Sequence, residues 1–197
     1  MLPLPQNRTS EYPIDPIFLN RWSPRAMTGE EISVHELNTL FEAARWAPSS
    51  GNSQPWRFLF ARRNTPAWDT FFNLLVPGNQ VWAHKAAALV LVVSRTVAEH
   101  NGKPMVTHSF DTGAAWMSLA LQGSMKGLLV HGMGGYDRAK AMEDLKIPPE
   151  FVPEAMIAIG HHGDLENLVE EKRAGDVNPS QRKALDEIVF EGGWPNV

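Results

Sequence analysis

The chain has no cysteine in its 197 residues. This excludes disulfides, thiolate metal sites and thiol nucleophiles, so any redox chemistry must be carried by a bound cofactor. It has no run of Lys and Arg, and its formal net charge is −4. Nucleic-acid backbones select a basic face, so this charge balance argues against nucleic acid as a partner. Long hydrophobic runs are missing too. The longest, residues 86–93, is far too short to cross a bilayer. Residues 1–6 lack the basic start and apolar stretch of a signal peptide, which makes the cytoplasm the expected location. Asn7-Arg8-Thr9 then reads as a chance glycosylation sequon.

Several chemical signatures are also absent. There is no P-loop, no GxSxG elbow and no HExxH pair. His161 and His162 are adjacent, so on a strand they face opposite sides, and no metal site is expected. Gly132-Met133-Gly134-Gly135 starts like a dinucleotide fingerprint, but Asp137 stands at its sixth position and the repeated βα units of that fold are missing.

What is present fits one globular domain able to bury its own core, with 43% hydrophobic and 20% charged residues. Residues 1–20 read as a proline-containing N-terminal arm, with a helical turn near Asp15 to Leu19, and 21–197 as a single domain. Ser33-Val34-His35-Glu36 is a capping box. Val34, Leu37, Leu40, Phe41 and Ala44 follow on one helical face, and Pro48 closes that helix. Alternation over 56–61 predicts a strand, Pro66 opens a short helix through Leu75, and Pro77-Gly78 predicts a turn. The apolar run from Ala87 to Ser94 predicts a buried central strand. Residues 108–126 predict the dominant helix, apolar on most sides, with Gly127 at its end. A domain of this size has limited room to bury such a helix, which points to a subunit interface and an obligate dimer. Strands follow at 128–131 and 155–160, with a glycine-rich turn over 132–135 and a helix capped by Asp137 between them. The polar tail ends in Leu185, Ile188, Val189 and Phe190, an apolar group expected to dock on something.

Two clusters stand out. Arg21, Ser23 and Arg25, stiffened by Pro24, suit a phosphate dianion, though two solvated arginines would look the same. Ser49, Ser50, Asn52 and Gln54, between Pro48 and Pro55, offer directed donors and acceptors to a flat, polar-edged ligand, though ordinary turn formers have this composition too.

Taken together, Arg-x-Ser-x-Arg and the stretch Ala43-Ala44-Arg45-Trp46-Ala47-Pro48-Ser49-Ser50-Gly51-Asn52-Ser53-Gln54-Pro55-Trp56 resemble the FMN-dependent nitroreductase family, in its compact branch. The resemblance extends over nearly the whole chain, through Gly135-Tyr136-Asp137 to a late Arg182 ahead of Ile188-Val189. It implies an α+β fold with a central mixed or antiparallel sheet flanked by helices, and an intertwined homodimer with two FMN sites at the interface. By that carry-over Arg21, Ser23 and Arg182 hold the phosphate, Trp22 touches the cofactor through its backbone, and Arg25 sits near the N1/O2 edge of the flavin. Ser49 and Ser50 reach the flavin of the other subunit, with Pro48 beside them and Asn52 and Gln54 shaping the loop. Asn79 faces the pyrimidine edge. Gly134 and Gly135 lie near N5, with Gly132 and Met133 adjacent. The family often has an acidic or bulkier residue where Gly134 stands.

The implied activity is NAD(P)H-dependent reduction of nitroaromatics, quinones, or activated alkenes and aldehydes, with no catalytic side chain because the flavin carries the chemistry. Flavin storage, dehalogenation and flavin fragmentation are the alternatives.

Overall fold

A computed structural model of the chain describes residues 8–194. The start of the expected arm, residues 1–7, and Asn7 of the sequon lie outside the described residues. A short helix α1 (Ile17–Asn20) precedes the arginine cluster. Helix α2 (Val34–Arg45) begins at Ser33, whose hydroxyl accepts from the Glu36 amide while the Glu36 carboxylate accepts from the Ser33 amide. This is the predicted capping box. Leu37, Leu40 and Ala44 are buried as expected, but Val34 is 41% exposed. Ile32, just ahead of the cap, takes the buried place instead. It shares one apolar cluster with Leu37, the pairing a hydrophobic staple requires.

Four strands form one sheet: β1 (Trp56–Arg62), β2 (Ala88–Arg95), β3 (Leu128–Met133) and β4 (Phe151–His161). Their order is β1-β2-β4-β3 and every pairing is antiparallel, so the sheet has no parallel member. β2 is central and buried along almost its whole length, which explains its continuous apolar sequence. Side-chain alternation divides it between two cores. Leu89, Leu91 and Val93 join Leu74, Trp82 and Met156 on one face, and Val90 and Val92 join Leu119, Val130 and Ile157 on the other. β4 starts at Phe151, earlier than the apolar run predicts. It carries Pro153 across a register shift opposite Val92 and Val93, where a missing N–H is tolerated.

Helices α3 (Trp68–Phe72), α4 (Pro77–Ala83) and α6 (Arg138–Asp144) complete the first layer. The predicted turn at Pro77-Gly78 is instead the start of α4. Proline suits the first helical position because its fixed φ is already helical and its missing N–H would be unbonded there. The helix predicted from Pro66 to Leu75 is shortened to α3. Gly132 and Met133 belong to β3, so the glycine-rich turn begins only at Gly134. Asp137 caps α6 by accepting from the Lys140 amide at 2.9 Å.

Helix α5 (His108–Met125) covers the second face with α2, and Gly127 follows it at φ 75°. Its inward side presents Ala115, Leu119, Ala120 and Gly123, the last so tight that an added Cβ would stand 2.4 Å from Val130. Helix α7 (Glu170–Val177) leads into the tail. There Ile188 and Val189 are exposed within the chain.

Candidate functional site

Residues 21–26 follow α1, and four contacts fix them. Asp176, on α7 and 6% exposed, accepts from the Arg25 amide at 2.6 Å and the Ala26 amide at 2.8 Å. The same carboxylate pairs with the Arg25 guanidinium at 3.4 Å. His131, buried on β3, places Nδ1 3.0 Å from the Pro24 carbonyl. Burial pushes its pKa below the ordinary value, and the nearby Arg25 charge adds to this, so the ring donates to that carbonyl as a neutral imidazole. A side chain at Gly175 would stand 3.2 Å from Arg25 Nη1, so glycine there lets α7 approach the segment.

The segment so held opens onto a cleft of about 350 Å³ lined by Arg8, Arg21, Trp22, Ser23, Arg25 and Arg182, with His131 and 178–180 completing the wall. Arg21 Nη1 lies 3.5 Å from Ser23 Oγ. Among the described residues, Arg8, Arg21 and Arg182 form no ion pair with a carboxylate. Burial, and then the Arg182 charge, lower the pKa of Arg21. Burial, then Arg182 and Arg21, lower that of Arg8. Three cations thus crowd one cleft and repel one another, an arrangement that an anion would relieve. The structure brings Arg21, Ser23, Arg25 and Arg182 together as the sequence reading expected, with Trp22 beside them. Arg8 is an addition that the sequence reading missed.

Just past the end of β3, three residues after His131, comes Gly134. A Cβ built there meets nothing within 4 Å, so the position borders open space. Gly135 is different. Asn79 on α4 donates to its carbonyl at 2.9 Å, and a Cβ on Gly135 would be 2.9 Å from both Asn79 Nδ2 and Val76 Cγ2. Gly132 packs against Trp116, 3.0 Å from its would-be Cβ, and Met133 points into the first core. This contrast gives a paired prediction. Gly135→Ala lowers the melting temperature by several degrees, because overpacking costs about 1–3 kcal/mol. Gly134→Ala leaves it unchanged. Thermal denaturation of both variants checks this, and equal melting temperatures would refute it.

Ser49, Ser50, Asn52 and Gln54 form a tight loop just ahead of β1. Its backbone is unusual, with Gly51, Asn52 and Gln54 all at positive φ. The Gln54 amide donates to Ser49 Oγ at 3.0 Å. The Ser50 amide donates to Asp111 Oδ2 at 3.1 Å, and Thr107 Oγ1 donates to the same oxygen at 3.0 Å. Asp111, 4% exposed on the first turn of α5, is thus the anchor of this loop. The loop adjoins β1, at the sheet edge opposite β3. Neither it nor Pro48 lines the arginine cleft of its own chain.

A third polar cluster was not visible in the sequence. Ser94 Oγ donates to Glu154 Oε1 at 2.5 Å and lies 2.7 Å from His108 Nδ1, while Ser109 Oγ donates to the same carboxylate oxygen at 2.6 Å. It is not a nucleophilic triad. Ser94 is fully buried, and hydroxyl and carboxylate crowd the same ring nitrogen instead of opposite ones. Its work is to pin the start of α5 to β2 and β4. No group of three or more His, Asp or Glu able to hold a metal occurs among the described residues.

The model of the nitroreductase family matches residues 19–75, which contain Arg21, Ser23 and Arg25 and the loop from Ser49 to Gln54. A crystal structure of an oxidoreductase containing FMN superposes with a TM-score of 0.93 at 44% identity, covering 100% of each chain. An uncharacterized 15.4 kDa protein of Mycolicibacterium smegmatis is 30% identical across 71% of this chain and 98% of its own length. A Rhodopseudomonas palustris TIE-1 protein with NADH dehydrogenase/NAD(P)H nitroreductase in its name is 25% identical across 79% of this chain and 87% of its own.

Proposed function

The chain belongs to the nitroreductase family, and from that premise we propose that it is an FMN-dependent oxidoreductase. It uses NADH or NADPH to reduce a small-molecule acceptor, a nitroaromatic, a quinone or an activated alkene or aldehyde, in alternating ping-pong turns. The observation that carries this reading is the cleft in which Arg8, Arg21 and Arg182 have no carboxylate partner among the described residues, with the open position at Gly134 three residues past His131 of its wall. Bound FMN would supply hydride acceptance and donation at its N5, chemistry that the described side chains do not offer.

The residues divide the work. Arg21, Ser23 and Arg182 bind the phosphate, where guanidiniums make paired charge-assisted bonds. Trp22 contributes its backbone. Arg25 brings positive charge towards the N1/O2 edge while Asp176 holds it in place. Gly134, free of neighbours, lets the ring lie close to the backbone, flanked by Gly132, Met133 and Gly135. Asn79 approaches the pyrimidine edge from α4. Since Pro48, Ser49, Ser50, Asn52 and Gln54 lie off the cleft of their own chain, they serve the ring bound by a second copy.

That second copy is part of the proposal. On α5, Phe110 is 81% and Met125 57% exposed, and Ala114, Met117 and Leu121 continue the same stripe at helical spacing. Trp46, 74% exposed at the end of α2, shares a groove with Gln122 of α5. Apolar surface of this kind is buried in a homodimer. No described helix is long and apolar enough to cross a membrane, and the cytoplasm is the proposed location.

The test is a spectrum. The purified protein shows a flavin band, and that band bleaches within seconds when NADH or NADPH is added without oxygen. A band that persists would turn the reading to flavin storage. Bleaching without turnover of a nitroaromatic or quinone would turn it to dehalogenation or flavin fragmentation. A colourless protein that takes up no FMN would refute it.

A further inference from the structure

Arg8 belongs to the N-terminal arm, a region the family resemblance leaves without a role. Its Nη1 donates to the carbonyls of Leu19 and Arg21, each at 3.1 Å, and its Nη2 donates to the Ser180 carbonyl at 3.3 Å. Arg182 Nη1 donates to that same Ser180 carbonyl at 3.2 Å and to the Gln181 carbonyl at 3.1 Å. Arg8 therefore bridges the two segments that carry Arg21 and Arg182. A guanidinium has five N–H donors, so three carbonyl bonds leave donors to spare. All three guanidiniums line the same cleft, where among the described residues none has a carboxylate partner. Bonds to three carbonyls position the Arg8 charge without neutralising it. An arginine serving only to tie the arm down would gain nothing from facing two other cations.

We propose that Arg8 is a third phosphate ligand, so that the ligand's phosphate binds the N-terminal arm to the 180–182 segment. This deepens the reading above and rests on it. The phosphate then adds to the carbonyl bonds that already join the arm to residue 180. A flavin without the phosphate gains nothing from Arg8.

The test compares FMN with riboflavin, which is the same ring system without the phosphate. Apo protein is titrated with each ligand, followed by quenching of flavin fluorescence. Two variants are used: Arg8→Ala, and Arg8→Gln, which keeps donors for the carbonyls but loses the charge. The expected result is that both variants weaken FMN binding roughly tenfold to a hundredfold, the worth of a charge-assisted bond, and leave riboflavin affinity unchanged. FMN affinity within twofold of wild type in Arg8→Gln would overturn the proposal. So would an equal loss for FMN and riboflavin, which would make Arg8 a structural tie. Wild-type protein that binds FMN no better than riboflavin would overturn the phosphate site itself, a failure of the parent reading distinct from the other two.

Discussion

Arg21→Ala weakens FMN binding about a hundredfold or more while leaving the apo protein as stable as before, or slightly more stable. The two halves of this prediction have one cause. Arg21 Nη1 contacts Ser23 Oγ at 3.5 Å, a long bond that contributes little to the fold. Its other relations in the cleft are repulsive, with Arg182 foremost. Burial and Arg182 lower its pKa, so the folded state disfavours the charged form. Because arginine stays protonated at neutral pH, that penalty is borne by the apo fold, and deleting the side chain removes it. Once a phosphate occupies the cleft the sign reverses. Charge-assisted bonds to an arginine are worth about 1.5–3 kcal/mol each, and a bidentate contact makes two. The check is a Kd from titration, together with melting temperatures with and without saturating FMN. At one fixed FMN concentration the wild type gains more stability on binding than the variant does. An apo melting temperature that falls by several degrees would show that Arg21 is a structural residue. Unchanged FMN affinity would remove it from the phosphate site.

What the sequence makes legible here is mostly short in range. The Ser33–Glu36 cap, the Asp137 cap, β2 and α5 all follow from residues within a few positions of one another, and the structure has each of them. Errors arise where one short pattern suits two structures. Pro77-Gly78 serves a turn or a helix start equally well, and Val34 or Ile32 could have supplied the buried residue at the start of α2. The site is legible in its residue types but not in its assembly. Arg21 and Arg182 are brought together by the whole fold, and before the structure only the family resemblance linked them. The residues that hold the site have still weaker signals. Asp176 sits in a polar, charged stretch and looks like a solvated surface residue until α7 packs it against the backbone of residues 25 and 26. His131 looks like a candidate ligand or a core histidine, and only its bond to Pro24 gives it a role. Asp111 is a first-turn acid of the ordinary kind until the loop at Ser50 folds back onto it. In each case at least one partner is a backbone group, which carries no signature in the sequence.

The dependence of the cleft on such a residue gives a large expected effect on stability. Asp176→Ala leaves the amides of Arg25 and Ala26 without their acceptor and Arg25 without its counter-charge. The Asp176 side chain is 1% exposed and that of Arg25 30%, so water replaces the lost contacts poorly at the buried end. Breaking a buried pair from one side costs about 3–5 kcal/mol, and a chain of this length loses about 2–4 °C of melting temperature per kcal/mol. A fall of roughly 10 °C follows. Asp176→Asn has nearly the same shape and keeps one carbonyl oxygen for the two amides. It should lose the ion pair and fall by less than half as much. Since the same carboxylate fixes the backbone between Ser23 and Ala26, FMN affinity should fall in both variants, in the order Ala below Asn below wild type. Differential scanning calorimetry and FMN titration on the same samples test the link. If Asp176→Ala melts within about 2 °C of wild type, α7 does not hold the arginine segment, and the cleft must be organised by His131 and the 180–182 segment instead.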